Sequence, residues 1–368
     1  MVPIARRMLL KQKSKFIITA GGIGFSIMLI MFITGIYDGV KTGATGYIAN
    51  SSSQIWLCQK NSTNLLRSTS FLNTMIMKEV NNTEGVDKVE GILRIISTAQ
   101  IQNKLLTLFI FGFESNSQLG NPKIIQGISN IRDGEMIVDK SFAMKNNLQL
   151  GDSISIQNRI FRIAGICTET NAIVAQFSFT TLSDAQKLLG FPEVVSFIMV
   201  SPGKSSDISK LVHSLKTGFP SLAVYTKNEF IQNNLEEMQT GVLPILWAIG
   251  ILAAISGGAV ISLMLFGSIL EKRADYAMLK AIGTSHGQLE MIVVKQSIFI
   301  AFIGYFFGLL LYIVLSPFIV RLFPEINLSI TWFAAGMVLL TSLLIGIIGS
   351  IIPIRKLSRI YPAEVFRA

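Results

Sequence analysis

The stretch MQTGVLPILWAIGILAAISGGAVISLMLFGSIL, residues 238–270, contains no Asp, Glu, Lys or Arg. A helix needs about 20 apolar residues to cross the roughly 30 Å of hydrocarbon in a bilayer. Three further stretches also lack charge and are long enough: 16–37, 296–320 and 326–354. Because one charge at the centre of a spanning helix costs about 2.5–3.5 kcal/mol, the pattern predicts four transmembrane helices.

These stretches divide the chain unevenly. We expect a membrane protein with four transmembrane α-helices, one and then three, and an α+β extracytoplasmic domain inserted between helices 1 and 2. The expected segments are a cytoplasmic basic segment (1–15), transmembrane helix 1 (16–37), the extracytoplasmic domain (38–227), a helical stalk (228–241), transmembrane helix 2 (242–270), a cytoplasmic helix and loop (271–291), transmembrane helix 3 (292–320), transmembrane helix 4 (326–352) and a cytoplasmic tail (353–368).

Basic residues set the expected orientation of these helices. Residues 38–240 hold 18 Lys and Arg against 17 Asp and Glu, whereas the rest of the chain holds 14 against 5. All of those 14 except Arg321 lie in 1–15, in 271–295 or in the tail. Cytoplasmic segments next to spans are rich in Lys and Arg, so both termini are expected inside and the large domain outside. The net charge of +10 therefore indicates topology and contact with anionic membrane lipids, and not a nucleic-acid partner.

Local patterns in the outer segment favour a mixed α+β domain. Apolar and polar residues alternate on both sides of residues 157–159, which is a hairpin signature. TLSDAQKLLG, residues 181–190, has the cap and the final glycine of a short helix. Apolar residues recur at helical spacing before the second span, and this spacing predicts the stalk: Ile231, Leu235, Met238 and Val242.

Small residues four apart recur in all four spans. In lipid, such rows let two helix backbones approach closely, although small residues are common in spans for other reasons too. We expect at least one row to be a packing face. The candidate helix-packing residues are Gly22, Ser26, Ala254, Gly258, Ser262, Gly304, Gly308, Ser342, Gly346 and Ser350.

The two cysteines, Cys58 and Cys167, both fall in the outer segment. An oxidising compartment permits a disulfide, and closing so long a loop would stabilise the fold by about 4–5 kcal/mol in the chain-entropy model. The alternative is a pair of buried thiols in strands, and the sequence leaves both open. Neither His213 nor His286 has a cluster of ligands at suitable spacing, so no metal site is expected.

EKRADYAMLKAIGTS, residues 271–285, is a charged segment between two apolar spans. Wound as a helix, it gathers small and apolar side chains on one face: Ala274, Met278, Ala281 and Ile282. Gly283 supplies a natural stop. One interpretation is an interfacial turn whose charges mark the inner side of the membrane. The other is a docking helix for a cytoplasmic partner.

Three segments carry a resemblance to a known family. EKRADYAMLKAIGTSHGQL, residues 271–289, resembles the segment that follows the second span in FtsX-like permeases, the MacB, LolC/LolE, DevC and FtsX group of type VII ABC transporter membrane subunits. PIRKLSRIYPAEVFRA, residues 353–368, is similar to the usual ending of that group, a proline after the last span and then P-x-E-x-[LF]-R-x. LQLGDSISIQNRIFRIAGI, residues 148–166, resembles the periplasmic core domain of the MacB-like members.

The resemblance implies that the 271–289 segment contacts a separate ABC ATPase. Matched residue by residue, the ATPase-coupling surface comprises Glu271, Lys272, Arg273, Tyr276, Met278, Leu279, Lys280, Ala281 and Gly283. ATP and Mg would be held by that partner, and no cofactor by this chain. The nearest approach to a P-loop, SPGKSS at residues 201–206, has Ile198 where the first glycine is needed. This indicates a permease subunit and not an enzyme.

The resemblance further implies a multi-pass homodimer in the bacterial cytoplasmic (inner) membrane, acting as the membrane subunit of an exporter. ATP-driven motion would reach the outer domain, which would move a lipid, lipoprotein, peptide or small molecule. LolC/LolE-like members extract lipoproteins, and DevC-like members export glycolipids or small molecules with a membrane-fusion adaptor. FtsX-like members instead signal across the membrane and activate an envelope hydrolase without transport. The sequence leaves export and signalling open, together with the substrate and the adaptor.

Overall fold

The computed structural model describes residues 13–101, 104–172, 176–204, 206–241 and 243–358. Most of the predicted basic segment and the final motif at 362–368 lie outside these ranges. The described residues form two compact units. The membrane unit comprises those of 1–38, 244–319 and 328–368, and the outer unit comprises those of 39–243 and 320–327.

Four long helices stand out among the helices of the described residues. The helices are α1 (Lys13–Asn50), α2 (Met75–Asn81), α3 (Lys140–Lys145), α4 (Leu182–Leu189), α5 (Ile208–Gly218), α6 (Lys227–Thr240), α7 (Leu243–Glu271), α8 (Arg273–Ala281), α9 (His286–Leu322) and α10 (Trp332–Ser358). Those long and apolar enough to cross a membrane are α1, α7, α9 and α10. One precedes the α/β domain and three follow it, so the predicted fold class is confirmed.

The long helices do not coincide with the uncharged stretches that predict them. α1 continues to Asn50 instead of ending at 37, and α9 begins at His286 instead of 292. Outside the hydrocarbon a helix needs no apolar side chains, so lack of charge locates the membrane and not the helix ends. Conversely, residues 326–331 belong to an uncharged stretch but are not helical. Thr331 caps α10 instead, its Oγ1 accepting a hydrogen bond from Ala334 N–H at 3.1 Å.

Glycines bring α9 into close contact with α1. A Cβ built on Gly304 would lie 2.5 Å from Ile23 Cγ2, and one built on Gly308 would lie 2.7 Å from Gly24 O. Real Cβ atoms essentially never approach other heavy atoms closer than 3.0 Å. Both positions therefore require glycine, and the two helices meet almost backbone to backbone.

The other rows of small residues differ in burial. Ser342, Gly346 and Ser350 of α10 are buried, and a Cβ on Gly346 would lie 3.0 Å from Ala301 Cβ of α9. On α1, Ser26 is buried and Gly22 lies against Val260 of α7. The predicted α7 row is only half-buried, and the buried row of that helix lies one residue earlier: Ala253, Gly257 and Ile261. The row Ala254, Gly258 and Ser262 is therefore partly uncovered by this chain.

We expect Gly304→Leu to destabilise the protein by about 1–3 kcal/mol, because the new side chain overlaps α1 and forces the helices apart. Thermal unfolding in detergent measures the effect. Gly336→Leu on α10 is the matched control, since a Cβ there would meet nothing within 4 Å. Equal melting temperatures for the two variants would contradict the close contact.

The outer unit is built on a ten-stranded sheet in the order β12-β1-β11-β3-β4-β9-β6-β8-β5, with β7 pairing both β3 and β8. A second sheet pairs β10 with β2. The strands are β1 (Ile55–Gln59), β2 (Leu72–Asn73), β3 (Val86–Ile101), β4 (Lys104–Phe113), β5 (Lys123–Gly127), β6 (Glu135–Asp139), β7 (Ser153–Ile156), β8 (Arg159–Thr168), β9 (Phe177–Thr181), β10 (Val194–Val195), β11 (Phe197–Pro202) and β12 (Leu222–Thr226).

Two local patterns predicted from the sequence are confirmed in this unit. β7 and β8 form an antiparallel hairpin, and its turn residues Gln157 and Asn158 have φ of 48° and 64°. Positive φ at both central residues is typical of a turn whose twist matches the flanking strands. Thr181 caps α4 by accepting from Asp184 N–H at 3.2 Å, and Gly190 follows the helix with φ of 80°.

One core cluster of the outer unit takes side chains from both α1 and α6. Tyr47 of α1 and Phe230 of α6 belong to it, and Phe230 stacks on Trp56 of β1 with ring centroids 5.0 Å apart. At the start of α6, Lys227 Nζ donates to Ser51 O at 2.6 Å, just beyond the end of α1. The end of α1 is thus anchored in the same core as α6, the helix at the position of the predicted stalk. The hydrogen bond from Lys227 also joins the two.

Both cysteines are free and buried in strands, which is the second of the two alternatives left open by the sequence. Cys58 Sγ donates to Ser62 O at 3.0 Å, and Cys167 Sγ lies 3.3 Å from Thr170 Oγ1. Burial raises the pKa of the Cys58 thiol to about 12 and also raises the pKa of the Cys167 thiol.

We expect neither thiol to react with an alkylating reagent at about pH 8 while the protein is folded, because only the thiolate is nucleophilic. Both should react after denaturation without reductant. Mass spectrometry counts the adducts. Adducts that form only after a reductant is added would show a disulfide instead.

Candidate coupling surface

The short helix α8, between α7 and α9, forms the candidate site. It begins where Lys272 leaves the helical conformation, with φ of −104° and ψ of 24°. It ends in a Schellman motif, in which Thr284 N–H donates to Leu279 O at 3.0 Å and Gly283 N–H donates to Lys280 O at 3.1 Å. Gly283 has φ of 94°, a conformation that favours glycine at this position. The C-terminal end of α8 is therefore defined by its own sequence.

One face of α8 is part of the core of the membrane unit. Tyr276 and Ala277 are buried there, and Leu279 packs partly against the same cluster. Burial raises the pKa of the Tyr276 hydroxyl to about 12, and the nearby Gln296 side chain acts in the opposite direction. Tyr276 therefore holds α8 firmly against the bundle.

A second attachment joins α8 to the end of α10. Lys280 Nζ donates to Leu357 O at 3.4 Å and to Ser358 O at 3.3 Å. The last carbonyl groups of a helix lack partners within the helix and carry partial negative charge. A lysine is therefore favourable at this position, and it ties α8 to the last turn of α10.

The opposite face of α8 is exposed and apolar. Met278 is 60% exposed and Ile282 is 75% exposed, and Ala274 and Ala281 are exposed beside them. These are the four residues that helical periodicity places on one face. An exposed apolar face on a rigidly held element is typical of a protein contact site.

Charged side chains flank this face. Glu271, Arg273 and Asp275 are exposed at the start of α8. An apolar centre with a polar rim is the usual anatomy of a protein interface. In the part of the chain that the structure describes, no three His, Cys, Asp or Glu side chains form a group that could hold a metal ion.

The structure divides the nine residues predicted to contact a partner. Five are exposed: Glu271, Arg273, Met278, Ala281 and Gly283. Lys272, Leu279 and Lys280 are half-buried, and Tyr276 is fully buried. Tyr276 is therefore an anchor within the chain and not part of an exposed surface, which corrects that assignment. Ile282, absent from the predicted contact set, is the most exposed apolar residue of the segment, and the periodicity of the sequence already placed it there.

We expect Gly283→Ala to destabilise the end of α8 by about 1 kcal/mol, because alanine is strained at this positive φ. Hydrogen exchange of the α8 amides should become faster. Gly287→Ala is the control, since a Cβ there meets nothing within 4 Å and its φ is not positive. Unchanged α8 exchange in Gly283→Ala would contradict the role of this glycine.

Both parts of the chain match known families. The model of the MacB-like periplasmic core domain matches residues 16–217, and the model of the FtsX-like permease C-terminal family matches residues 247–362. An uncharacterized ABC transporter permease of Methanocaldococcus jannaschii is 30% identical over 233 residues, which cover 60% of this chain and 58% of that protein. Another, from Mycobacterium tuberculosis, is 20% identical in an alignment of 369 positions that covers 96% of each chain.

Among solved structures, the periplasmic region of MacB from Actinobacillus actinomycetemcomitans aligns with a TM-score of 0.40 and 14% sequence identity. The alignment covers 50% of this chain and 92% of that one.

Proposed function

The chain belongs to the FtsX-like ABC transporter permeases that carry a MacB-like periplasmic core domain, and from this premise we propose that it is the membrane subunit of an exporter driven by a separate ABC ATPase. The similar proteins are themselves named permeases. In the proposal, the partner binds and hydrolyses ATP with Mg, and this chain receives the resulting motion through α8.

The proposal is carried by the two-sided character of α8. Tyr276 and Lys280 attach the helix to the bundle, whereas Met278 and Ile282 project their apolar side chains outward. A few buried apolar anchors supply most of the energy in a typical interface. We propose that Met278 and Ile282 are those anchors and that the charged rim orients the ATPase.

The helices supply a path for the motion. α1 is one continuous helix whose residues up to Asp38 belong to the membrane unit and whose residues from Gly39 belong to the outer unit. α6 is followed almost at once by α7, which ends next to α8. Helices keep their backbone hydrogen bonds internal even in hydrocarbon. In the proposal, they act as rods that pass ATP-driven movement to the sheet of the outer unit.

We further propose a homodimer with two ATPase subunits in the bacterial cytoplasmic membrane, with both termini inside. The partly uncovered row Ala254, Gly258 and Ser262 supports a second copy, because small residues let helices associate closely in lipid. A membrane-fusion adaptor on the outer side, and a lipid, lipoprotein, peptide or small-molecule substrate, complete this proposal.

Transmembrane signalling is the second candidate function. In it, the same motion activates an envelope hydrolase and nothing is transported. The match of residues 16–217 to the MacB-like core domain favours export. Vesicles that contain the chain and its ATPase separate the two functions: ATP-dependent movement of substrate supports export, and stimulation of a purified hydrolase without movement supports signalling.

We expect the double variant Met278→Asp, Ile282→Asp to bind the purified ATPase at least about tenfold more weakly, a loss of roughly 1.4 kcal/mol or more. The reason is that an unpaired carboxylate is costly to bury in an apolar contact. Titration of the ATPase onto the detergent-purified chain measures the affinity.

The matched control is Met75→Asp in the outer unit. Met75 is 64% exposed, so the substitution has the same chemistry on a surface that the ATPase does not meet. Binding of wild-type strength by the α8 variant, or an equal loss in the control, would refute α8 as the docking site.

A further inference from the structure

The outer unit holds the loop between α9 and α10 by polar contacts. Residues 320–327, at the end of α9 and in this loop, belong to the outer unit. Glu325 forms an ion pair with Lys145 at the end of α3. The buried Asn171 donates from Nδ2 to Glu325 O at 2.8 Å and to Ser141 Oγ at 2.9 Å. The loop is thus bonded through both the side chain and the backbone carbonyl of Glu325.

The segment that contains Asn171 also lies directly against α1. A Cβ on Gly43 would fall far inside the 3.0 Å limit from Asn171 O, and one on Gly46 would lie 2.5 Å from Glu169 O. The obstructing atoms are backbone oxygens, so no side-chain rotation relieves the overlap. These glycines let the carbonyl groups of the segment touch the helix backbone.

The α9–α10 loop meets the same row of glycines. A Cβ on Gly39 would overlap Asn327 O. At the far end of the row, the Glu169 carboxylate accepts from Asn50 Nδ2 at 2.7 Å and pairs with Lys123 of β5. Alanine is a better helix former than glycine, so three glycines on one face of α1 weaken the helix, and the close contacts offset this.

We propose that residues 169–171, together with Glu325, form a joint that fixes α1 and the α9–α10 loop to the outer unit as one piece. Movement of α9 and α10 then reaches the sheet through this joint, in addition to the route through α6. The joint itself stands on the contacts just described, and only its part in transmitting movement rests on the proposed function.

The two kinds of contact have different roles in the joint. The Lys145–Glu325 pair is partly exposed, and exposed ion pairs contribute little to stability. It orients the loop and is open to substitution. The glycine contacts and Asn171 are buried, and they hold the loop in place.

The first test compares the same substitution at two glycines of α1. Gly43→Ala should increase hydrogen exchange of the Phe323, Glu325, Ile326 and Asn327 amides by at least about tenfold, because the segment at Asn171 must move away. Gly21→Ala, where a Cβ meets nothing within 4 Å, should leave that exchange unchanged. Exchange of wild-type rate in folded Gly43→Ala overturns the joint.

The second test exchanges the charges of the exposed pair in the full chain, bound to its ABC ATPase in lipid nanodiscs. The readout is the change that MgATP causes in hydrogen exchange of the outer sheet. Lys145→Glu and Glu325→Lys should each reduce that change about two- to threefold, since each places like charges together. The double variant, which restores opposite charges, should recover it. If Gly43→Ala fails to fold, this test still decides whether the joint transmits movement.

The outcomes separate the joint from the proposed function. A wild-type ATP response in both single variants, together with its loss in the Met278→Asp, Ile282→Asp variant, overturns the joint as a transmitting element. An absent response in the wild-type complex refutes the proposed function, and the comparison of Gly43→Ala with Gly21→Ala then decides whether the joint exists.

Discussion

Hydrocarbon offers no partners to an unpaired backbone N–H or C=O group, so a chain that crosses it must make those hydrogen bonds within itself. Among the described residues, the four long helices satisfy this condition. Within the described part of this chain, a mechanical link between the two sides of the membrane would therefore consist of these helices. How much movement such a link can transmit depends on how closely the helices pack and on what holds their ends.

The helices of the bundle pack closely, and this packing is not easily deformed. Gly304 and Gly308 bring the backbone of α9 directly against Ile23, Gly24 and Ile27 of α1, and protein interiors packed at this density transmit displacement instead of absorbing it. The ends of the helices are held differently. Tyr276 and Lys280 fix α8 by burial and by helix capping, and Asn171 fixes the outer loop by hydrogen bonds. Polar contacts of this kind are stronger where water is excluded.

The sequence predicts the four spans, their order and the α+β class of the outer domain, because a charge in hydrocarbon is costly and its absence is a local signal. It does not predict that α1 reaches Asn50, since that extension depends on the packing of Tyr47 against Phe111 and Phe179, far away along the chain. In α8, periodicity correctly places Met278 and Ile282 on one face. The resemblance places Tyr276 in the predicted ATPase-coupling surface. A matched motif identifies a segment, but it does not indicate which of its side chains point into the protein.

The attachments of α8 also bear on where a force applied to it would go. The exposed face lies opposite Tyr276, so a push on Met278 and Ile282 is directed into the core of the bundle. A flexible loop would yield, but the Schellman motif at Gly283 closes the helix. Lys280, which donates to carbonyl groups at the end of α10, would carry part of that force to α10, and the chain itself would carry part to α7. In the proposed mechanism, the first part arrives at the outer loop held by Asn171 and the second at α6. The sheet would then be moved at two points, where unequal displacements tilt a rigid body and equal displacements only shift it.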